Sequence, residues 1–333
     1  MKETNKRLKA VVAGGAGYIG SVVTKTLVEA GHTVTVLDDL SKGHRDAIHP
    51  DAAFVEGDIS DPLAVQSACK NGVDVAMHFA AFIEVGESVL DPAKYYENNV
   101  LKAVQYCNNL RKSGVDKLVF SSTAAVYGNP ETVPLTETAA LKPVNPYGRT
   151  KLMIEEVLRD YDTAYAFRSV CLRYFNAGGA YGNCGEAHDP ESHLIPLIFN
   201  AVLAGKRLKV FGTDYDTHDG SCVRDYIHVK DLAQAHLMAA EYLAAGNESN
   251  AFNLGSGDGF TVIEVINAVA RVIGRKVLYD IVDRRPGDPA SLVASHAKIK
   301  AALGWGDKLS SLDEIIKTAW KWKQEHPNAY GDK

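Results

Sequence analysis

Five short apolar runs divide the first half of the chain, and longer segments with helical periodicity fill the gaps between them. The runs are LKAVVA (8–13), TVTVLD (33–38), DVAMHFA (74–80), KLVFSS (117–122) and FRSVCLRYF (167–175). They are rich in Val, Leu and Phe without strict alternation, as strands are when helices cover both faces of their sheet. Segments 21–30, 62–70, 92–113 and 147–161 are predicted as the intervening helices. A helix between successive strands carries the chain back to the edge from which it started, so neighbouring strands pair in parallel. The expected fold class is α/β, a Rossmann-type doubly wound parallel sheet.

The alternation loosens after about residue 176. NAGGAYGNCGEAHDPES (176–192) is dense in Gly and turn formers and is predicted as loop. Helical segments follow near 194–204, 231–245, 261–273 and 311–325, with strand-like runs at 208–211 and 250–254. The expectation is a smaller C-terminal α/β substrate lobe. The division is set at 1–176 for a dinucleotide-binding domain and 177–333 for the lobe, with segments free to cross between them.

The first strand runs into VVAGGAGYIG (11–20), where Gly14, Gly17 and Gly20 are spaced three apart at the mouth of a helix. Such glycines allow a tight turn and a close backbone approach to a pyrophosphate, which then sits on the positive helix end. Asp38 ends the second strand, about 20 residues beyond Gly17. Its carboxylate suits the ribose hydroxyls and repels a 2′-phosphate, so NAD is favoured over NADP. Asp58, in GDI (57–59), suits the adenine amine or its own turn.

In NPYGRTK (145–151), Asn145 and Pro146 open a helix, and Tyr147 and Lys151 follow four apart on one face. Beside a bound nicotinamide this pair is a candidate proton-transfer centre. A phenol titrates near ~10, and two positive neighbours would stabilise its ionised form. FSSTAAVYG (120–128) supplies hydroxyls at Ser121, Ser122 and Thr123 where the fourth predicted strand ends.

Composition excludes other classes. The 333 residues are 46% hydrophobic and 23% charged, with a formal net charge of −5 and no basic block. Neither nucleic acid nor an anionic membrane is an expected partner. No apolar stretch approaches the ~20 residues of a membrane span. Cys69, Cys107, Cys171, Cys184 and Cys222 are scattered and odd in number, which fits reduced thiols and a cytoplasmic location.

The motifs together resemble the extended short-chain dehydrogenase/reductase family, and within it the nucleotide-sugar epimerases. GGAGYIG, EGDI, HFAAFIEVGESV, YYENNV, FSSTAAVYG, PYGRTK, LRYFNAGGA, VFGTDYDTHDGSCVRDYIHVKDLA, FNLGSG, RRPGD and WKWKQEHPNAY carry the likeness nearly end to end. The resemblance implies reversible C4 epimerisation of a UDP-hexose through a transient 4-keto sugar, with tightly bound NAD. It places NAD contacts on Tyr18, Ile19, Asp38, Asp58, Ile59, Phe79, Ala80, Ala81, Asn98, Ser121, Tyr147, Lys151 and Phe175, beside the three glycines. Tyr147 is then the base, with Lys151 and the Thr123 hydroxyl beside it. Substrate contacts fall on Thr123, Asn176, His193, Leu194, Phe211, Arg224, Arg285, Asp288 and Leu292. Arg224 and Arg285 offer forked donors to a diphosphate, and Phe211 a face for uracil. The family also implies a homodimer through the helices at 92–113 and 147–161.

Three positions depart from the family's pattern. Ile83 stands where some members carry a Lys, Thr123 replaces the commoner Ser, and Leu292 is intermediate in size at a position bordering the sugar. The last leaves N-acetylated sugars and pentoses open as substrates. A dehydratase needs an acid/base carboxylate, commonly directly after the hydroxyl residue. Ala124 and Ala125 stand there instead. The remaining alternatives are an ordinary alcohol dehydrogenase, set apart by net NADH production, and a non-catalytic dinucleotide sensor, which would have no need of Tyr147 and Lys151 together.

Overall fold

The computed structural model describes residues 7–285 and 289–331. In chain order the strands are β1 Lys9–Ala13, β2 Thr33–Asp38, β3 Ala53–Glu56, β4 Val75–His78, β5 Lys117–Thr123, β6 Arg168–Tyr174, β7 Asn176–Gly178, β8 Leu208–Phe211, β9 Val223–His228, β10 Asn250–Leu254, β11 Gly259–Thr261, β12 Tyr279–Val282 and β13 Ser291–Leu292. The α-helices are α1 Tyr18–Glu29, α2 Pro62–Cys69, α3 Val85–Leu90, α4 Pro92–Tyr96, α5 Lys102–Lys112, α6 Pro146–Tyr165, α7 Leu194–Leu203, α8 Val229–Ala244, α9 Val262–Ile273, α10 Ala297–Leu303 and α11 Leu312–Glu325.

The chain divides into two compact units. One takes in residues up to Val126, Asn145–Arg173 and Ala233–Phe252; the other takes in Tyr127–Val144, Tyr174–Leu232 and Asn253 onward. Residues 233–252, read from sequence as part of the C-terminal half, thus fold with the first unit, where β10 adds the last strand to its sheet.

That sheet has seven strands in the order β10-β6-β5-β4-β1-β2-β3. β1 pairs in parallel with both β2 and β4, so the winding reverses direction between them. This reversal opens a crevice at the carboxyl ends of β1 and β4, the usual ligand position in such sheets. Val11, Leu37, Ala76, Leu118, Leu110, Leu158 and their neighbours form one buried core on the sheet.

Two local signals set α6. The Asn145 side chain accepts from Gly148 N at 2.8 Å, and Pro146 occupies the first turn, where its missing N–H costs nothing. The helix predicted over 92–113 is broken in its middle. Between α4 and α5 the chain widens into a π-helical turn, Glu97–Leu101. Inside it, buried Asn99 accepts from Phe82 N and donates to Phe82 O, both at 2.9 Å, and to Thr150 Oγ1 at 3.4 Å. These side-chain bonds hold a neighbouring loop at the expense of regular helix pitch.

The second unit has its own core, built from Ile195, Ile198, Phe199, Val210, Tyr226, Val265, Val269, Ile315 and Ile316. Its central strand β9 runs antiparallel to β11 and parallel to β13 and β7. β8 and β12 form a separate parallel pair. Among the described residues no helix is long and apolar enough to cross a membrane.

Candidate active site

Gly14 is left-handed (φ +79°), and its N–H donates to Leu37 O at 2.9 Å. A Cβ there would lie 2.5 Å from Ala80 N, and one on Gly20 would lie 2.1 Å from Gly14 O. Backbone fills both positions, so only glycine fits. α1 begins at Tyr18 with Gly17 as its cap, no side-chain cap bond and no acidic residue in its first turn. Its first N–H groups and its positive end are therefore available to an anion.

Asp38 is buried at the end of β2 and leans over this turn. Its carboxylate accepts from Ala16 N and Leu40 N, each at 2.9 Å. Asp58 caps its own turn, accepting from Ser60 N and Ser60 Oγ at 2.7 Å, and its other oxygen pairs with Lys102. Burial would raise its pKa, but Lys102 and Ser60 outweigh this and hold it below the usual carboxylate value. Ile59 is buried in the core beside it. Phe79 follows β4, its N–H on Ala13 O at 2.8 Å and its ring 4.8 Å from that of His236. Asn98 donates to Asn99 Oδ1 at 3.0 Å. The ends of β1, β2 and β4 thus gather three glycines, an uncapped helix and one buried carboxylate. That donor set fits a dinucleotide.

Tyr147, Thr123 and Lys151 meet within the same unit. The Thr123 hydroxyl accepts from Ala125 N at 3.1 Å and hydrogen-bonds the Tyr147 phenol, which lowers the phenol's pKa. Lys151, 2% exposed, donates from Nζ to Ser121 O at 2.9 Å, and Nζ lies 6.0 Å from the Tyr147 ring centroid. The electrostatics differ from the sequence expectation. Burial pushes Tyr147 up to about 12, with Glu84 adding to the rise, and pulls Lys151 down to about 7. Desolvation penalises both charged forms, and at this distance the ammonium does not reverse it for the phenol. The chain's own groups therefore keep Tyr147 protonated.

Sequence reasoning missed two residues that shape this centre. Ser88 Oγ accepts from Tyr147 N at 3.2 Å, and Glu84 contributes the opposing negative charge. Both lie in HFAAFIEVGESV, a motif whose individual residues carry no chemical spacing signal. Behind the site, Glu155 binds Ser122 Oγ and pairs with buried Arg173.

Ala81 lies in the first unit, and the other predicted residues that the structure describes lie in the second. Phe175 is buried, its N–H on Leu254 O at 3.1 Å. The β9 sheet brings several together: Arg224 stands opposite Leu292 on β13 and Phe260 on β11, and Asn176 pairs with Tyr226 two residues on. Arg224 Nη1 donates to Val223 O and Pro289 O. The Arg285 guanidinium stacks 4.0 Å over the Phe211 ring. Leu194 is the first residue of α7, and His193, its cap, turns its imidazole to Glu186 with Nδ1–Oε1 2.6 Å. Asp288 lies outside the described residues.

Comparisons with known proteins agree in direction. The family described as NAD dependent epimerase/dehydratase matches residues 10–255. A UDP-glucose 4-epimerase of Lacticaseibacillus casei is 47% identical over 327 residues, covering 97% of this chain and 98% of that one. The crystal structure of UDP-glucose 4-epimerase from Brucella ovis in complex with NAD superposes with a TM-score of 0.91 at 44% identity, over 95% of this chain and 98% of the other. The enzyme from Bifidobacterium longum, in complex with NAD+ and UDP, gives 0.91 at 34% identity over 96% and 99%.

Proposed function

The chain belongs to the NAD dependent epimerase/dehydratase family, and from that premise we propose that it inverts C4 of a UDP-hexose reversibly, interconverting UDP-glucose and UDP-galactose. The observation that carries this reading is the buried Thr123–Tyr147–Lys151 group, held in one unit with the glycine turn and Asp38. NAD is the cofactor, and when bound it would supply the hydride acceptor for C4.

Each residue has a separate task. Tyr147 takes the proton of the C4 hydroxyl and later gives it back. Thr123 donates to the phenol oxygen and steadies its negative charge. Tyr147 alone is held protonated near neutrality, so ionisation needs a further positive charge, which the oxidised nicotinamide ring provides. Lys151, fixed on Ser121 O, suits the nicotinamide ribose more than the phenol. Gly14, Gly17, Gly20 and the start of α1 take the pyrophosphate, and Asp38 the adenine ribose. In the second unit, Arg224, Arg285 and Asn176 are assigned to the UDP diphosphate and Phe211 to the uracil face; Leu194, His193 and Leu292 complete the substrate contacts, with Asp288.

A reaction with no net redox change requires that the 4-keto sugar stay bound while it turns over. Tight retention of NAD is part of the proposal. So is a homodimer through α5 and α6, with Leu101 54% and Met153 37% exposed beside and on those helices. A cytoplasmic location is supported by five free buried cysteines. The test is to incubate purified protein without added cofactor with UDP-galactose, UDP-GalNAc or UDP-arabinose separately. UDP-glucose from the first supports the reading, and the other two define how much space Leu292 leaves. Net NADH, or no product from any, overturns it.

A further inference from the structure

Four side chains outside the proton-transfer centre converge in the second unit. Glu186, His188, Glu191 and His193 place one ligand atom each within 4.8 Å of one another. His193 Nδ1 lies 2.6 Å from Glu186 Oε1 and 3.6 Å from Glu191 Oε1. His188 Nδ1 lies 3.3 and 3.8 Å from the same two oxygens. The Glu186 side chain is only 8% exposed. Its Oε1 and His193 Nδ1 are both buried, and neither has a hydrogen-bond partner of acceptable geometry. A buried polar atom left without such a partner calls for a group that satisfies it, and a bound ion is one that would.

We propose that Glu186, His188, Glu191 and His193 form a tetrahedral site for Zn2+ or a similar divalent transition-metal ion. Bonds of 2.0–2.1 Å to imidazole nitrogen and carboxylate oxygen put tetrahedral neighbours about 3.3 Å apart. The observed separations of 2.6 to 3.8 Å bracket that edge. Two imidazoles with two carboxylates suit zinc better than calcium or magnesium, which prefer oxygen alone.

All four ligands come from the eight residues 186–193, and the last is the cap of α7. Four protein ligands leave no open position, so the ion is structural. It ties the loop after β7 to the start of α7 and so fixes Leu194. The site rests on its own geometry and stands whether or not the epimerase reading does.

The test uses the whole protein, stripped with a chelator and dialysed into metal-free buffer. Zn2+ binding is read by elemental analysis after gel filtration, and Co2+ by its visible absorption. The expected result is one ion per chain, a tetrahedral Co2+ spectrum and a higher melting temperature with Zn2+. Glu191→Gln and His188→Asn should each weaken uptake by about 10–100-fold or more, as loss of support to a metal site does. Wild-type protein that takes up no stoichiometric Zn2+ and gives no tetrahedral Co2+ bands overturns the proposal, whatever the variants do. Equal uptake by folded variants overturns it as well.

Discussion

Thr123→Val removes one hydroxyl from the centre and little volume. The Thr123 hydroxyl bonds the Tyr147 phenol and lowers a pKa that burial has pushed up to about 12. A hydrogen bond to a charged group contributes about 1.5–3 kcal/mol. Each pKa unit is about 1.4 kcal/mol, so the phenol should become harder to ionise by about 1–2 units. Turnover needs phenolate, so the rate rises as pH passes through this pKa. Raising the pKa moves that ascending limb to higher pH. On the limb, at fixed pH near neutrality, kcat should fall about 10- to 100-fold. The same substitution leaves Ala125 N without its acceptor at 3.1 Å. That costs about 1–3 kcal/mol of stability, which thermal melting reports separately. Thr123→Ser keeps the hydroxyl and should keep both the profile and the rate. The assay is kcat against pH from 6 to 10 with UDP-galactose, on folded protein. An unshifted profile in Thr123→Val would refute the hydrogen-bonded role and leave Thr123 as packing only.

Other substitutions probe separate parts of the account. Tyr147→Phe should lower kcat by about 10²–10⁴ while the protein still binds UDP in calorimetry, since it removes only the proton acceptor. Gly20→Ala sets a Cβ 2.1 Å from Gly14 O, so fluorescence of NADH bound to the purified variant should be largely lost. Glu155→Gln leaves the Arg173 guanidinium buried without its countercharge; denaturant titration should show a loss of about 3–5 kcal/mol. His78, packed between Tyr106 and Phe120, is held down to about 3 by burial and then by the charge of Lys151. Its folded pKa lies below the unfolded 6.5, so its contribution is present above pH 6.5 and is lost as pH falls towards 3. The slope is at most about 1.4 kcal/mol per pH unit. His78→Phe should flatten acid destabilisation between pH 6.5 and 5, and an unchanged slope would assign it to other groups.

The first sheet was legible because burial on both faces writes itself as unbroken apolar runs. β1, β2 and β5 fall where such runs predict them, and Gly14 and Gly20 announce a turn that no other residue fits. β3 is four residues, AFVE, with exposed ends and no full burial, so it carries too weak a pattern to stand out. β9, VRDYIH, mixes charge with apolar residues, because its neighbours and not its composition make it a central strand. The return of 233–252 to the first unit is a long-range pairing of β10 beside β6, which local periodicity does not encode. At the site, helical spacing places Tyr147 and Lys151 in one neighbourhood. It cannot tell that Lys151 Nζ binds Ser121 O, a contact set by where β5 lies against α6. The ammonium expected from sequence beside the phenol is tied to Ser121 O, and in the chain alone burial raises the phenol pKa.

The central claim is that one hydride leaves C4 and returns to it inside a closed cycle. UDP-glucose carrying deuterium at C4 should be incubated with the purified protein in ordinary water, and the UDP-galactose formed examined by NMR and mass spectrometry. The account predicts that deuterium stays at C4 of the product with no NADH accumulating. Replacement of that deuterium by solvent hydrogen, or NADH rising with product, would contradict it.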